Sequence, residues 1–302
     1  MLNFRLMERS KIKEYAKYYD YSNALGCDVN LLNAYFWRHE YNICFAVFDE
    51  TLIKAYFKPD GSVWGYCLPT GKNVSGALEL IFEDSRERAQ KPRIVMLTNE
   101  QRARLEELCP NRFVYSRSPE NQDYIYLSEE LASLSGKKFH AKRNHISKFY
   151  RTYDNSRFEC INDKNKSDAM AVVLEWYAEN DLSPDQSSEV AAIREGLESL
   201  DEFNMSGAVL YVGEKPVAMT LGSEISSRVY DVNFEKALRG YDGVYAVINN
   251  EFAKTLTRYK YINREEDMGL EGLRKSKLSY NPAIILDRFN AEMIYEAGTQ
   301  TL

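Results

Sequence analysis

The sequence predicts an α+β fold built as a tandem duplication, with two mixed, mostly antiparallel sheets flanked by helices. Two observations predict it. Runs of apolar residues typical of strands alternate with segments of helical periodicity. The order of these elements in the first half of the chain then recurs in the second half, although the residues themselves differ. Since 302 residues fit either one large domain or two of about 150 residues, the repeated order favours two.

The first half opens with helices and continues with a three-stranded meander. Turn formers Asp49-Glu50 and Pro59-Asp60-Gly61 separate the three strands, which favours antiparallel pairing. A break at 69–73 precedes an amphipathic helix. The expected elements are helices at 8–19 and 29–37, strands at 42–48, 52–57 and 63–68, a helix at 74–89, a strand at 93–97, a helix at 100–108, and strands at 112–115 and 124–127.

The second half repeats this order. Its meander has Gly213-Glu214-Lys215 as the first turn, and a glycine-containing break at 239–243 precedes a long helix. The expected elements are a strand at 158–161, helices at 167–179 and 187–200, strands at 208–212, 216–221 and 228–234, a helix at 244–257, a strand at 259–263, a short helix at 270–277 and closing strands at 283–289. The pattern predicts domains at 1–130 and 156–302, joined by a basic connecting segment at 131–155.

Composition excludes several classes of protein. A net charge of −6, with 44% hydrophobic and 28% charged residues, is typical of a soluble globular chain. The longest apolar stretches are far shorter than the roughly 18 residues that cross a bilayer, so no integral membrane contact is expected. The first residues lack a secretory signal, and the five cysteines form no C-x-x-C pair. We therefore expect reduced thiols and a cytoplasmic location. The three histidines lack zinc-site spacing, so no metal is expected.

The connecting segment is a local excess of positive charge in an acidic chain. Between residues 137 and 151 there is no carboxylate, and Lys137, Lys138, Lys142 and Arg143 lead a run of six cations. Such a cluster either binds a phosphate-rich partner, such as the acceptor end of a tRNA, or forms a solvated helix between the two domains. The residues alone leave both interpretations open.

Two further segments contain glycines or charged residues of the kinds found in binding and catalytic sites. Gly240 and Gly243 precede a helix, where they either cradle an anion or simply form a turn, and their spacing matches neither a P-loop nor a Rossmann motif. In the segment 263–277, carboxylates follow a strand, and Arg274 and Lys277 share a helix face. A carboxylate there could take a proton from an amine, and the cations could hold phosphate or carboxylate. The competing interpretation is a solvated helix end, against which Gly269 and Gly272 argue, since glycine costs about 1 kcal/mol in a helix.

Several segments spread over essentially the whole chain together resemble those of one known family. They are Asp123-Tyr124-Ile125-Tyr126, 134–145, Phe234-Glu235-Lys236-Ala237, Asn250-Glu251-Phe252, and 263–269 with 272–277. With these motifs the chain resembles a soluble bacterial family related to the C-terminal domain of phosphatidylglycerol lysyltransferase. This resemblance implies a tandem of two folds like the Gcn5-related N-acetyltransferases (GNAT), with the active cleft mainly in the second repeat. The chain departs from the lipid-modifying enzymes in its glycine element, and from acetyl-coenzyme A enzymes in the spacing of 239–244.

The expected function is therefore an acyl- or aminoacyltransferase. The donor would be an aminoacyl-tRNA or an acyl-coenzyme A, and the acceptor a small-molecule or peptide amine or a hydroxyl. Asp267, or failing it Glu265, would accept the proton of the amine. The donor and substrate would contact the residues Glu235, Lys236, Gly240, Gly243, Asn250, Gly269, Gly272, Arg274 and Lys277. The alternative is a catalytically inactive GNAT-like module that binds tRNA or a charged metabolite.

Overall fold

The computed structural model describes residues 2–294 and divides them into two compact units. Unit 1 comprises 2–20, 37–122 and 286–294, and unit 2 comprises 21–36 and 123–285. The ends of the two predicted domains, residue 1 and residues 295–302, lie outside the described residues. No helix within 2–294 combines the length and the apolar character that crossing a membrane requires.

The secondary structure alternates between strands and helices along the chain. The strands are β1 (Arg5–Leu6), β2 (Ile43–Phe48), β3 (Thr51–Phe57), β4 (Val63–Tyr66), β5 (Thr70–Gly71), β6 (Arg93–Leu97), β7 (Phe113–Arg117), β8 (Asp123–Leu127), β9 (Ser156–Cys160), β10 (Ser206–Val212), β11 (Lys215–Ser226), β12 (Val229–Ala237), β13 (Tyr261–Asn263), β14 (Ile284–Leu286) and β15 (Phe289–Met293). The helices are α1 (Ile12–Ala16), α2 (Leu31–Phe36), α3 (Val74–Glu87), α4 (Asn99–Leu108), α5 (Ser128–Ser133), α6 (His140–Thr152), α7 (Lys166–Glu179), α8 (Ser188–Leu197), α9 (Val244–Thr255) and α10 (Glu271–Leu278).

Unit 1 is built around one sheet with the strand order β1-β2-β3-β4-β6-β15-β7, and β5 pairs with β3. The β2–β3 hairpin turns through Asp49 and Glu50, whose positive φ angles of 41° and 52° fit the tight turns that match strand twist. β4 and β6 are parallel, and α3 makes the crossover between them. Asn73 starts α3, because its side chain accepts a hydrogen bond from the Gly76 amide at 2.9 Å.

Unit 2 has a sheet with the order β14-β8-β13-β12-β11-β10-β9. β9 to β12 form an antiparallel meander, β13 is parallel to β12, and α9 makes the crossover. The core lies between the sheet and helices α5, α6 and α9, with Tyr126, Phe149 and Tyr230 among its nearly inaccessible side chains. Apolar residues on one side of α9 and of the meander are thus buried together, as their periodicity predicts.

The two sheets have the same topology, since the order read from β1 corresponds strand by strand to the order read from β9. Each unit has an antiparallel meander, a crossover helix and a parallel strand, so the predicted α+β class, the duplication and the GNAT-like arrangement are confirmed. In each sheet, however, the sixth strand in this order comes from the other half of the sequence. β8 lies in the sheet of unit 2, and β15, near the end of the described chain, lies in the sheet of unit 1.

This exchange makes the compact units differ from the predicted domains at 1–130 and 156–302. The strand expected to close the first half at 124–127 pairs with β13 instead. The expected closing strands at 283–289 separate into β14 and β15, which belong to different sheets. The connecting segment at 131–155 is an integral part of unit 2, because α6 packs on α9 and buries Phe149. The apolar pattern of a strand indicates that it is buried but not which sheet buries it, so the exchange has no signature in the sequence.

Candidate functional site

The candidate site lies in unit 2, where the parallel strands β12 and β13 stop pairing. Their last paired residues are Asp231 and Asn263, and the chain leaves β13 through the carboxylates 265–267. Asn263 donates from Nδ2 to Asp123 Oδ2 at 2.9 Å, and the Cys27 amide donates to the same oxygen at 2.8 Å. The ends of β8, β12 and β13 are thereby brought together around a group of acidic side chains.

A local irregularity in β12 places Asp231 in this group. Leu221 lies opposite Phe234 and Ser223 opposite Asp231, so β12 has one residue more than β11 across this interval. Gly222 permits the close approach, because a Cβ at that position would lie 2.2 Å from the Asp231 carbonyl oxygen. Asp231 Oδ2 then accepts hydrogen bonds from Asn30 Nδ2 at 3.1 Å and Asn233 Nδ2 at 3.2 Å.

Glu265 and Glu266 are the two partly exposed members of the group, and the conformation of Glu265 is held by hydrogen bonds. Glu265 follows β13 with a left-handed φ of 56°, and its amide donates to Asn263 Oδ1 at 2.7 Å, which fixes this uncommon backbone conformation. Its Oε1 accepts from Asn33 Nδ2 at 2.6 Å and from Asn233 Nδ2 at 3.4 Å. Two amides therefore hold one carboxylate oxygen of Glu265 in place.

Burial and mutual repulsion control the protonation of the group. Burial, followed by the charges of Asp231 and Glu266, raises the pKa of Glu265 well above its ordinary value. Burial, together with Asp123 and Glu266, likewise raises the pKa of Asp231. Carboxyl groups in such surroundings hold protons into the pH range where a general base works.

Lys277 holds the backbone of the segment 264–266 in place. Its buried ammonium donates to the carbonyl oxygens of Arg264 and Glu266. Burial lowers the pKa of Lys277, as does the charge of Arg264, while Glu265 and Glu266 act in the opposite direction. These contacts orient the backbone at 264–266, and the ammonium is engaged by this chain rather than turned toward a ligand.

Asp267 accepts hydrogen bonds from three residues, an arrangement that we call the clamp at Asp267. It is fully buried, and its Oδ2 accepts from Tyr124 Oη at 2.6 Å and from Arg274 Nε at 2.7 Å. Its Oδ1 accepts from the Gly269 amide at 2.8 Å and from Arg274 Nη2 at 3.0 Å. Burial opposes ionisation, but the hydrogen bonds from Arg274, Tyr124 and Gly269 outweigh it and lower the pKa of Asp267. This geometry supports a structural role for Asp267 and Arg274, rather than the catalytic and donor-binding roles expected from the sequence.

Arg264 and Glu235 form a second buried pair beside the group. Arg264 Nη2 lies 2.8 Å from Glu235 Oε1, and both side chains are about nine-tenths buried. The Arg264 guanidinium lies over the ring of Tyr280, with 5.1 Å between Cζ and the ring centroid. Glu235 is therefore held by the residue that directly precedes Glu265, and its expected role in substrate binding stays a prediction.

The glycine positions separate into packed and open ones. Gly243 has a φ of 88°, and a Cβ there would lie 2.7 Å from the His145 carbonyl oxygen of α6. α6 thus closely covers the turn at Gly243, and Lys148 Nζ pairs with Asp242 Oδ2 beside it. The close packing at Gly243 does not support an open anion cradle there. At Gly240 and Gly272, in contrast, an added Cβ would meet no atom within 4 Å, so both positions are open and no packing contact explains Gly272.

Two other residues that were expected to contact the donor have partners within the chain. Asn250 Nδ2 donates to the carbonyl oxygens of Leu131 at 2.7 Å and Ala132 at 2.9 Å, which terminates α5. Lys236 lies 2.9 Å from Glu189 Oε2 and 3.9 Å from the centroid of the Trp176 ring. The side chains of Asn250 and Lys236 therefore both have partners in unit 2, and their expected contact with a donor stays a prediction.

The four basic residues expected to bind phosphate or RNA have different surroundings. Lys138 pairs with Glu130 at 2.7 Å, and Arg143 donates to the carbonyl oxygens of Leu134 and Gly136. Lys137 is exposed, and Lys142 is half-buried with Nζ 3.8 Å from the centroid of the Tyr280 ring. The segment is therefore not one uniform basic face.

Sequence reasoning did not identify Asp123, Asp231 and Glu266 as site residues, nor the asparagines Asn30 and Asn33. An acidic residue inside the apolar run 228–234 was an available signal for Asp231, since a buried carboxylate requires partners. Ligand atoms of Cys27, Asp123 and Glu266 lie within 4.8 Å of one another, a spacing that a metal ion could use. Burial, followed by Asp123 and Glu266, raises the pKa of the Cys27 thiol well above its ordinary value, which disfavours the thiolate that a metal requires.

Comparisons with known proteins agree with the fold. A conserved protein of unknown function from Bacteroides thetaiotaomicron is 34% identical and has a TM-score of 0.88, over 97% of this chain and 100% of that one. The structure of L-PGS from Bacillus licheniformis is 11% identical, with a TM-score of 0.66 over 97% and 94% of the two chains. An uncharacterised protein of Mycoplasmoides gallisepticum is 22% identical over 174 residues, which are 57% of this chain and 56% of that relative.

The match to that relative therefore spans little more than half of its length. The family model described as "Phosphatidylglycerol lysyltransferase, C-terminal" matches residues 20–292, which is nearly the whole chain and includes all the strands of the sheet in unit 2. The resemblance stated from the sequence motifs is confirmed: the chain belongs to the family of the C-terminal domain of phosphatidylglycerol lysyltransferase.

Proposed function

We propose that this protein transfers an aminoacyl or acyl group from an activated ester or thioester to an amine or hydroxyl acceptor, with Glu265 as the general base. Aminoacyl-tRNA and acyl-coenzyme A are the candidate donors. The observation that carries the proposal is the position of Glu265, a partly exposed carboxylate with a raised pKa at the divergence of the parallel strands. Membership of a lysyltransferase family supports the same class of reaction.

The proposed reaction needs one base and good positioning. The nitrogen or oxygen of the acceptor attacks the acyl carbonyl carbon, and Glu265 takes the proton that this atom loses. The tetrahedral intermediate then expels the alkoxide or thiolate of the donor, which receives the proton back from Glu265. Most of the rate would come from placing the two substrates in line and stabilising the developing oxyanion.

The neighbours of Glu265 make it suitable for this role. Asn33 and Asn233 fix one oxygen, and Lys277 fixes the backbone on either side of Glu265 through the carbonyl oxygens of Arg264 and Glu266. Burial and the charges of Asp231 and Glu266 raise the pKa of Glu265, which makes its carboxylate a stronger base than that of an exposed glutamate. In this proposal Asp267 and Arg274 hold the start of α10 and do not touch the reacting atoms.

The test is the transfer rate of Glu265→Gln, with Glu271→Gln as the matched control on the exposed first turn of α10. Labelled aminoacyl-tRNAs and acetyl-coenzyme A serve as donors, and a peptide amine and phosphatidylglycerol vesicles as acceptors. Loss of the base should lower kcat by about 10²- to 10⁴-fold, with little change in KM. Equal kcat values for wild type and Glu265→Gln would remove Glu265 from the mechanism.

An inactive module that binds tRNA or a charged metabolite is the second candidate. The clamp at Asp267 favours it, because a residue expected to be catalytic is fully engaged by Tyr124, Gly269 and Arg274. Wild-type protein that binds a donor tightly, but consumes none with any of the acceptors, would favour this candidate over the transferase.

A further inference from the structure

Three charged side chains meet around Tyr280 on the side of the sheet that faces α6 and α9. Lys142 of α6 lies with Nζ 3.8 Å from the centroid of the Tyr280 ring, and Arg264 lies with Cζ 5.1 Å from the same centroid. Glu235 pairs with Arg264. Four separate parts of unit 2, namely α6, β12, the end of β13 and the chain after α10, thus contribute to one cluster.

The Arg264–Glu235 pair is joined by one hydrogen bond and leaves one buried polar atom of each side chain without a partner among the described residues. One contact joins Nη2 to Oε1 at 2.8 Å, while Arg264 Nη1 and Glu235 Oε2 are buried and have no partner among the described residues. Guanidinium and carboxylate groups usually pair through two parallel bonds when both ends are accessible to each other. The cluster therefore contains one unfilled donor, on Arg264, and one unfilled acceptor, on Glu235.

Lys142 adds an unpaired positive charge. It is half-buried, and no carboxylate within 2–294 lies in ion-pair distance of it. Burial, followed by the charge of Arg264, lowers the pKa of Lys142 to about 8. Two cations held close together without a second anion would be stabilised by an anionic ligand.

We propose that Lys142, Arg264 and Glu235 form a subsite for a phosphorylated ribose of the donor. The phosphate contacts Lys142 Nζ and Arg264 Nη1, and a neighbouring ribose hydroxyl donates to Glu235 Oε2. A bare anion would be repelled by Glu235, whereas a phosphate beside a hydroxyl satisfies all three unfilled groups. The proposal rests on the transferase function, since it names where that function holds its donor.

This chemistry is shared by two donors, the 3′ end of a tRNA and coenzyme A. The experiment measures equilibrium dissociation constants for uncharged tRNA by filter binding and for coenzyme A by titration calorimetry, using the full chain. The variant Lys142→Met removes the charge and keeps an unbranched, flexible side chain that is one atom shorter. Lys275→Met, on the exposed face of α10, makes the same change in charge elsewhere in unit 2.

We expect Lys142→Met to weaken binding of one probe by at least about tenfold, in line with the loss of a charge-assisted hydrogen bond, and Lys275→Met to change it less than about twofold. A loss confined to coenzyme A assigns the subsite to that donor, and a loss confined to tRNA assigns it to the 3′ end. Wild-type affinity should also fall between about pH 7 and pH 9, because Lys142 loses its proton there. Lys142→Arg should bind at both pH values and checks that the site itself is intact.

Equal losses in Lys142→Met and Lys137→Met would attribute binding to the basic segment as a whole and overturn the subsite. So would the absence of measurable binding of both probes to wild type. The same measurements distinguish a failure of the subsite from a failure of the proposed transferase function. Strong donor binding that depends on Lys142, together with no transfer, keeps the subsite and rejects the transferase, whereas transfer that needs Glu265 but not Lys142 does the reverse.

Discussion

Asp267→Asn should destabilise unit 2 rather than remove a catalytic base. The carboxylate of Asp267 is fully buried and accepts four hydrogen bonds, two on each oxygen. An asparagine has one oxygen and one NH₂ group in their place. Whichever way the amide is turned, two donors from Tyr124, Gly269 and Arg274 then face an NH₂ group that cannot accept from them.

The size of the effect follows from these two lost bonds. A hydrogen bond to a charged group contributes about 1.5–3 kcal/mol, but the side chain of Arg274 is 42% exposed and its contribution is reduced by solvent. We therefore expect a loss of about 2–4 kcal/mol in the free energy of unfolding at pH 7. Because the folded-state pKa of Asp267 is lowered, its contribution is fully present above the unfolded pKa of about 3.9 and is lost as the pH falls below that. The difference between wild type and variant should shrink below about pH 4.

The assay is urea denaturation followed by circular dichroism, with hydrogen exchange on 264–280 to locate the change in unit 2. Asp163→Asn is the control, since Asp163 has an 89% exposed side chain paired with Lys166, and should change stability by less than about 0.5 kcal/mol. A variant Asp267→Asn that unfolds like wild type but has a much lower kcat would refute the structural role and restore Asp267 as the base.

Three further predictions concern the sheet and the glycines. Asp231→Asn should raise the free energy of unfolding at pH 8 but not at pH 4, because the raised folded-state pKa of Asp231 costs stability as the pH rises. A difference in urea denaturation that does not depend on pH would contradict this. Gly243→Ala should lower the free energy of unfolding, measured by heat or urea, by about 2 kcal/mol or more, because its Cβ would meet the His145 carbonyl oxygen. Gly240→Ala, at a φ of 87° but in open space, should lower it by only about 1 kcal/mol. Gly272→Ala should stabilise α10 by about 0.5–1 kcal/mol, and a drop in transfer rate without loss of stability would identify Gly272 as a ligand contact.

The local pattern predicted much of the fold. The meanders, the crossover helices α3 and α9 and the parallel strands after them follow from apolar periodicity and from turn formers such as Asp49-Glu50, which act over a few residues. The helix expected at 8–19 is shorter, with α1 limited to Ile12–Ala16, and α6 lies in the basic segment, for which a helix is only one of the two interpretations that the sequence leaves open. A helix such as α6, with few apolar residues, is set by its packing on α9 rather than by its own pattern.

The class of the fold, the duplication, the family and the carboxylate-rich segment after β13 could all be inferred from the order of residues along the chain. The assignment of β8 and β15 to their sheets, and the identity of the carboxylates that meet, required the folded structure. Asp123, Asp231 and Glu265 are distant in the sequence and are joined by strand pairing and by side chains of Asn30, Asn233 and Asn263. The protonation of a carboxyl group depends on burial and on neighbouring charges, and both are properties of the folded chain. For this reason Asp267 and Glu265, two residues apart, have pKa values shifted in opposite directions.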